Sequence, residues 1–283
     1  MNAATSYSTR EPARHPLPGG DRSPLGVSAR IKKSDGRVNA LNPVDLRPQQ
    51  IGLFLDVDGT LLDLAPRPEA VEVPASLVDT LAAAERRLDG ALALVSGRPI
   101  EHLDRLFAPL LLRASGIHGA QIRYMADGAS RWLTQARLPD RAWTDLLRLL
   151  EAFPGTLAEN KGISFAVHYR NSVAAEEELV VALQHFIEGF VELELELIAG
   201  HRVFEIRLPG FDKGKAIARF MASEPFAGRR PVFVADDRMD RAGFDTALAL
   251  GGLAFSVGAP LPGLSGWFPQ PEAVRAWVGR LAE

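Results

Sequence analysis

Two runs, IGLFLDVDG at 51–59 and RRPVFVADD at 229–237, share one construction: a short, nearly continuous apolar segment followed at once by aspartates. A run with no polar face reads as a strand buried on both sides, which is the condition of a parallel sheet covered by helices. GALALVSGRP at 90–99 and LAFSVG at 253–258 repeat the pattern. Helical stretches lie between: PASLVDTLAAAERRL sets Leu77, Leu81, Ala84 and Leu88 on one stripe, and Pro99 suits the first position of a following helix. The alternation predicts an α/β fold with a doubly wound, Rossmann-like parallel sheet, whose ligands gather in a crevice at the carboxyl ends of the strands.

Between about 135 and 207 the grammar changes. A helix (PDRAWTDLLRLLEAF, with Trp143, Leu146, Leu147 and Leu150 inward) and a second (AAEEELVVALQHFIEGF) are interleaved with three alternating segments. Those segments are ISFAVHYR, FVELELELIAG and HRVFEIRL. This predicts an α+β insert, residues 135–207, within a core made of 48–134 and 208–283. In ISFAVHYR the apolar Ile163, Phe165, Val167 and Tyr169 fall on one face, which predicts a half-buried strand. Glu192, Glu194 and Glu196 alternate with apolar residues and read as the solvated face of an antiparallel sheet rather than as metal ligands. Residues 1–47, rich in Pro, Gly, Ser and Arg without periodicity, are expected to be a disordered tail.

Composition narrows the partners. A net charge of -3, with acids and bases interspersed, argues against nucleic acid or a membrane surface and leaves a small molecule. With no cysteine, disulfides, thiolate nucleophiles and cysteine metal sites are excluded. No signal peptide or membrane span is legible, so a cytoplasmic monomer is expected.

The chemistry sits at the strand ends. Asp56 and Asp58 flank Val57 and are followed by Gly59 and Thr60; Asp236, Asp237 and Asp240 follow the other acid-terminated strand. Carboxylates so close repel unless a cation lies between them, and hard oxygen ligands beside a phosphate suit Mg²⁺. Ser96, Gly97 and Arg98 end another strand, where a hydroxyl and backbone N–H groups can hold phosphate oxygens. Lys213 opens a helix in GFDKGKA. Singly, these read as caps and surface charges; in this order, each at an element end, they read as one site.

DVDGT, the SGR serine, the lysine of DKGKA and the DD pair with a third aspartate resemble the four ordered motifs of the haloacid dehalogenase superfamily of phosphotransferases. The resemblance implies that Asp56 is a nucleophile and Asp58 a general acid and base, with Ser96 and Lys213 holding the phosphoryl group. It implies Mg²⁺ bound by Asp56, Asp236 and the backbone carbonyl of Asp58, supported by Asp237 and Asp240. The insert lies where sugar-phosphate members carry a cap. There GIHGA, AENKGISFAVHYR and VFEIR with PGFDKGKA resemble trehalose-6-phosphate phosphatases, which implies that Glu159, Lys161, Arg170, Glu205, His118 and Arg98 contact trehalose 6-phosphate. Ala235, Met239 and Arg241 stand where that family usually has glycine, threonine and glutamate; all three acids remain, so metal binding is expected to persist without that threonine and glutamate around Asp240. The alternatives are a phosphatase of sucrose 6-phosphate or mannosyl-3-phosphoglycerate, a weakened sugar-phosphate sensor, and a receiver-type signalling module; the cap-sized insert argues against the last.

Overall fold

The acid-terminated runs lie side by side. In the computed structural model, which describes residues 46–65, 70–200, 202–236 and 238–283, β1 (Ile51–Leu55) is followed by α1 (Ala75–Arg87), β2 (Leu92–Val95), α2 (Ile100–Leu106), β3 (Arg113–Gly116), β4 (Gln121–Arg123) and β5 (Arg131–Trp132). Then come α3 (Asp140–Leu150), β6 (Leu157–Asn160), β7 (Ser164–His168), α4 (Glu176–Glu188), β8 (Glu196–Gly200) and β9 (Val203–Arg207). The chain ends with α5 (Lys213–Met221), β10 (Arg230–Ala235), α6 (Arg241–Ala249), β11 (Leu253–Val257), β12 (Gly266–Phe268) and α7 (Pro271–Ala282).

One sheet runs β12-β11-β10-β1-β2-β3-β4-β5, parallel from β12 to β3 and antiparallel at β4 and β5. The strand order reverses at β1, which pairs with β2 on one side and β10 on the other, so the crevice of a doubly wound sheet opens there. Register places Leu55 opposite Val234, and both acidic clusters leave the sheet at one point. Phe54 packs on Phe220 and Phe226 and Phe233 on Phe244 on the α5–α6 face, while Phe255 and Phe268 pack on Trp277 of α7 on the other. Side chains this fully buried contribute about 1.5–3 kcal/mol each, which is what fixes the strand ends. Leu77, Leu81, Ala84 and Leu88 are buried as the stripe predicts, and Pro99 lies one position before α2, as its N-cap.

The second sheet, β6-β7-β9-β8, is wholly antiparallel and has its own apolar core against α3 and α4. Trp143 packs on Phe165 and Tyr169 stacks on Phe204. Three expectations change here. Leu147 is 44% exposed, because the inward face of α3 is carried by Ala142, Leu146 and Leu150. β7 is buried on both faces: Ser164 and Ala166 are as inaccessible as Phe165 and Val167. Within VELELEL only the part from Glu196 is strand. Val191–Leu193 form a 3-10 turn and Glu194 is left-handed (φ 49°), because β9 offers five residues to pair with and Glu196–Gly200 use all of them. The expected tail lies, up to residue 45, outside the described residues. Among the described residues no helix is long and apolar enough to cross a membrane.

Candidate active site

Asp56 is the first residue beyond β1, and its N–H donates to the Val234 carbonyl at 3.0 Å, which fixes its backbone against β10. The buried Thr60 hydroxyl stands 3.5 Å from Asp56 Oδ2. Lys213 reaches the same carboxylate because Asp212 caps α5, accepting from the Lys215 N–H at 2.7 Å, and sets Lys213 as the first helical residue. Its Nζ lies 2.7 Å from Asp56 Oδ1 and 2.6 Å from Asp240 Oδ1. The Asp56 carboxyl is pushed up to about 7: burial raises it most, Lys213 pulls it down, and Asp240 and Asp58 add to the rise. Burial also opposes the charge on Lys213, but the Asp240 and Asp56 carboxylates outweigh it and hold the ammonium above its usual range.

Carboxylate oxygens of Asp56, Asp236 and Asp240 lie within 4.8 Å of one another. Hard oxygen donors converging at this spacing fit a divalent cation. Gly59 makes the approach possible: its φ is +72°, and a Cβ there would sit 1.9 Å from Asp236 Oδ2.

Asp58 points to a different partner. Arg98 grips it through two hydrogen bonds of 2.7 Å, one from Nε and one from Nη2. The Arg98 backbone N–H donates to Ser96 Oγ at 3.1 Å, so the loop after β2 is folded on itself. His118 hangs over that loop: its N–H donates to the Ser96 carbonyl at 3.1 Å, and a Cβ on Gly97 would meet His118 Nε2 at 2.5 Å. Ile117 and His118 take positive φ of 47° and 50°, a conformation that costs a branched residue energy and is held by the Ile117 N–H to Arg98 carbonyl bond of 3.1 Å.

The opposite wall comes from the insert. Glu159, Ala166 and Glu205 sit in register across β6, β7 and β9, so the two carboxylates flank an alanine on one face of the sheet. Glu205 is 2% exposed; it accepts from the Ser164 hydroxyl at 2.7 Å and lies 3.1 Å from His118 Nε2 and 3.4 Å from Lys161 Nζ. Burial works against its charge, yet His118, Lys161 and Ser164 together hold its carboxyl well below the usual range. Glu159 is likewise lowered against its own burial by His168, 3.7 Å away, and by Lys161. Arg170 donates to the Ala65 carbonyl beyond β1. Insert and core are joined by polar contacts, His118 to Glu205 and Arg170 to Ala65, and by the packing of Ile163 on Ile117 and Ala120.

Every described residue given a catalytic, metal or substrate role from the sequence lines one cleft of about 390 Å³. Asp237 lies outside the described residues. The departures around Asp240 resolve separately: Met239 lines the cleft, Arg241 turns away to Asp245 at 2.9 Å, and Asp240 is held by Lys213. Sequence reasoning missed Ser164 as a partner of Glu205, His168 as a partner of Glu159, and His102 and Arg105 of α2, which line the same cleft. For Ser164 and His168 the signal was present, since both alternate with the buried face of their strand.

The family described as trehalose-phosphatase matches residues 54–257. A Sinorhizobium fredii protein named "Probable trehalose-phosphate phosphatase" is 38% identical over 232 residues, 81% of this chain and 87% of that protein. The trehalose-6-phosphate phosphatase of Escherichia coli is 37% identical over 209 residues, 72% of this chain and 76% of its own. In fold, the C-terminal domain of C. albicans trehalose-6-phosphate phosphatase superposes with a TM-score of 0.76 at 19% identity, covering 88% of this chain and 99% of that one.

Proposed function

Since the chain belongs to the trehalose-phosphatase family, we propose that it hydrolyses trehalose 6-phosphate to trehalose and phosphate through an aspartyl phosphate on Asp56. The observation that carries this reading is that one cleft holds both the Asp56, Lys213, Asp240 cluster and a separate, charge-paired wall built on Glu205. Residues 135–207 act as the cap that selects the substrate, over a catalytic core of 48–134 and 208–283.

Phosphoryl transfer asks for in-line positioning and for neutralisation of charge on the phosphoryl oxygens. A carboxylate oxygen of Asp56 attacks phosphorus as the bond to the sugar oxygen breaks, and Asp58 protonates the leaving oxygen. Asp58 then takes a proton from the water that attacks the aspartyl phosphate, releasing inorganic phosphate and restoring Asp56. Lys213 and the Ser96 hydroxyl hold the phosphoryl oxygens. Asp56, Asp236 and Asp240 with the Asp58 carbonyl would hold Mg²⁺, which supplies further neutralisation of phosphoryl charge when bound. Proton donation by Asp58 requires its pair with Arg98 to open, and the incoming phosphate is the anion that takes over the guanidinium. Glu205, Glu159 and Lys161 offer acceptors and donors to the sugar hydroxyls, and a wall of such fixed groups rejects ligands that leave them unpaired.

A panel of sugar phosphates offered to the purified protein with Mg²⁺ tests the reading. Trehalose 6-phosphate should be turned over with the highest kcat/KM; comparable turnover of sucrose 6-phosphate would sink the assignment. Release of phosphate in a single turnover separates an enzyme from a sensor.

A further inference from the structure

The wall of the cleft formed by α2 belongs to neither the phosphate machinery nor the insert. The helix follows the Ser96, Gly97, Arg98 loop directly, and its inward residues Ile100 and Leu103, with Phe107 after it, are buried in the core. The remaining face, at i, i+3 and i+4, is His102, Arg105 and Leu106, and all three line the cleft. A rise of about 1.5 Å per residue carries His102 roughly 3 Å and Arg105 roughly 7 to 8 Å along the axis from the helix start, away from the loop whose Arg98 grips Asp58. The wall thus extends from the reacting end toward the far part of the ligand.

Glu159, His168 and Arg170 of the insert line the same cleft, and Glu159 acts electrostatically on His102 across it. Leu64, Val71 and Val203 join Leu106 in giving this stretch an apolar lining. A half-buried imidazole, a guanidinium and aliphatic side chains are the set a pyranose ring asks for: its hydroxyls need donors and acceptors, and its C–H faces need apolar contact. Burial, and then the charge of Arg105, lower the His102 imidazole, so at neutral pH it is neutral and offers one donor and one acceptor.

We infer that His102 and Arg105 of α2 are specificity-determining residues of the core, which engage the sugar ring farther from the phosphate and so favour a disaccharide phosphate over a monosaccharide phosphate. The inference rests on the reading that the substrate is a sugar phosphate. It assigns part of the selectivity to the core helix, whereas the insert alone carries it otherwise.

The test is the ratio of kcat/KM for trehalose 6-phosphate to that for glucose 6-phosphate, which lacks the second ring, in wild type, His102→Leu, His102→Gln and Arg105→Gln. His102→Leu should lower the ratio about ten-fold, mainly through KM for the disaccharide, and His102→Gln, which keeps a donor and an acceptor, should recover part of it. Arg105→Gln should lower it about three-fold. A ratio unchanged in His102→Leu and Arg105→Gln, or a fall of the same size on both substrates, overturns the inference. Should wild type spare trehalose 6-phosphate, the functional reading fails on its own. The ratio is then taken between whichever disaccharide phosphate is turned over and its phosphorylated monosaccharide, and an unchanged ratio there overturns the role of α2.

Discussion

At the Asp56 end of the cleft one lysine is shared by two carboxylates, Asp56 and Asp240, with Asp236 beside them, whereas at the Glu205 end one carboxylate meets a lysine, a histidine and a serine hydroxyl. Both clusters are buried, yet their carboxyls move in opposite directions: Asp56 is raised by burial that its lysine does not overcome, and Glu205 is lowered by partners that do overcome it. In the first cluster carboxylate oxygens of Asp56, Asp236 and Asp240 converge at a spacing that fits a divalent cation. The second is complete within the protein, so it is rigid before a sugar arrives. Substitutions at the first end should therefore act on chemistry, and those at the second on folding and fit.

Asp56→Asn gives the largest effect. It keeps the shape of the side chain and removes the attacking oxygen's charge, so kcat should fall by about 10⁴-fold or more while the fold and sugar-phosphate binding persist. Stopped turnover with binding retained in calorimetry is the expected result; turnover near wild type would remove Asp56 from the role of nucleophile.

Glu205→Ala probes the other end. It strands Lys161 and the Ser164 hydroxyl, and breaking a buried pair from one side costs on the order of 3 kcal/mol. The pH dependence has a definite sign. Because the folded carboxyl of Glu205 lies well below its ordinary 4.5, its contribution is fully present above that pH and is lost as pH falls through the lower folded value. The stability gap between wild type and Glu205→Gln should be constant from pH 7 to 5 and narrow below about 4. A gap that widens on acidification would mean that Glu205 is not the ionised member of its network.

The contrast between the ends also explains what could be read from the residues alone. Asp56, Asp58, Asp236 and Ser96 were legible because each follows an apolar run, and parallel pairing of β1 with β2 and β10 is enough to gather them. The strands of the insert were legible only as alternation. β6, with the sequence LAEN, has no buried apolar residue to announce it and exists because β7 offers it a partner. VELELEL alternates yet is strand only from Glu196, because sheet extent is set by the neighbour and not by pattern. His102 and Arg105 were invisible, since a seven-residue helix shows its polar face without showing what stands opposite.

Removal of the divalent cation probes the acidic end from the side of the ligand. A cation bound among Asp56, Asp236 and Asp240 at a hundred times its Kd adds about 2.7 kcal/mol to stability. Mg²⁺ should raise the melting temperature of wild type and of Glu205→Gln alike, and leave Asp236→Asn unmoved. A protein whose melting ignores Mg²⁺ and whose turnover survives chelation would not hold the cation in this cluster.

The smallest effect belongs to Arg241, which stands at the edge of the acidic end where relatives were expected to carry a glutamate. Its Nε is 2.9 Å from Asp245 one turn along α6, with side chains 65% and 53% exposed, and Asp240 is held from the other side by Lys213 at 2.6 Å. An exposed pair of this kind is worth about 0.3 to 0.5 kcal/mol. Arg241→Ala should therefore change stability by no more than that, and kcat/KM by roughly two-fold at most, the same energy expressed as a rate. A ten-fold loss of kcat with unaltered KM would show that the guanidinium steadies Asp240 after all. The acidic end would then depend on charge outside the cleft, and the division between the acidic cluster and the charge-paired one would have to be redrawn at α6.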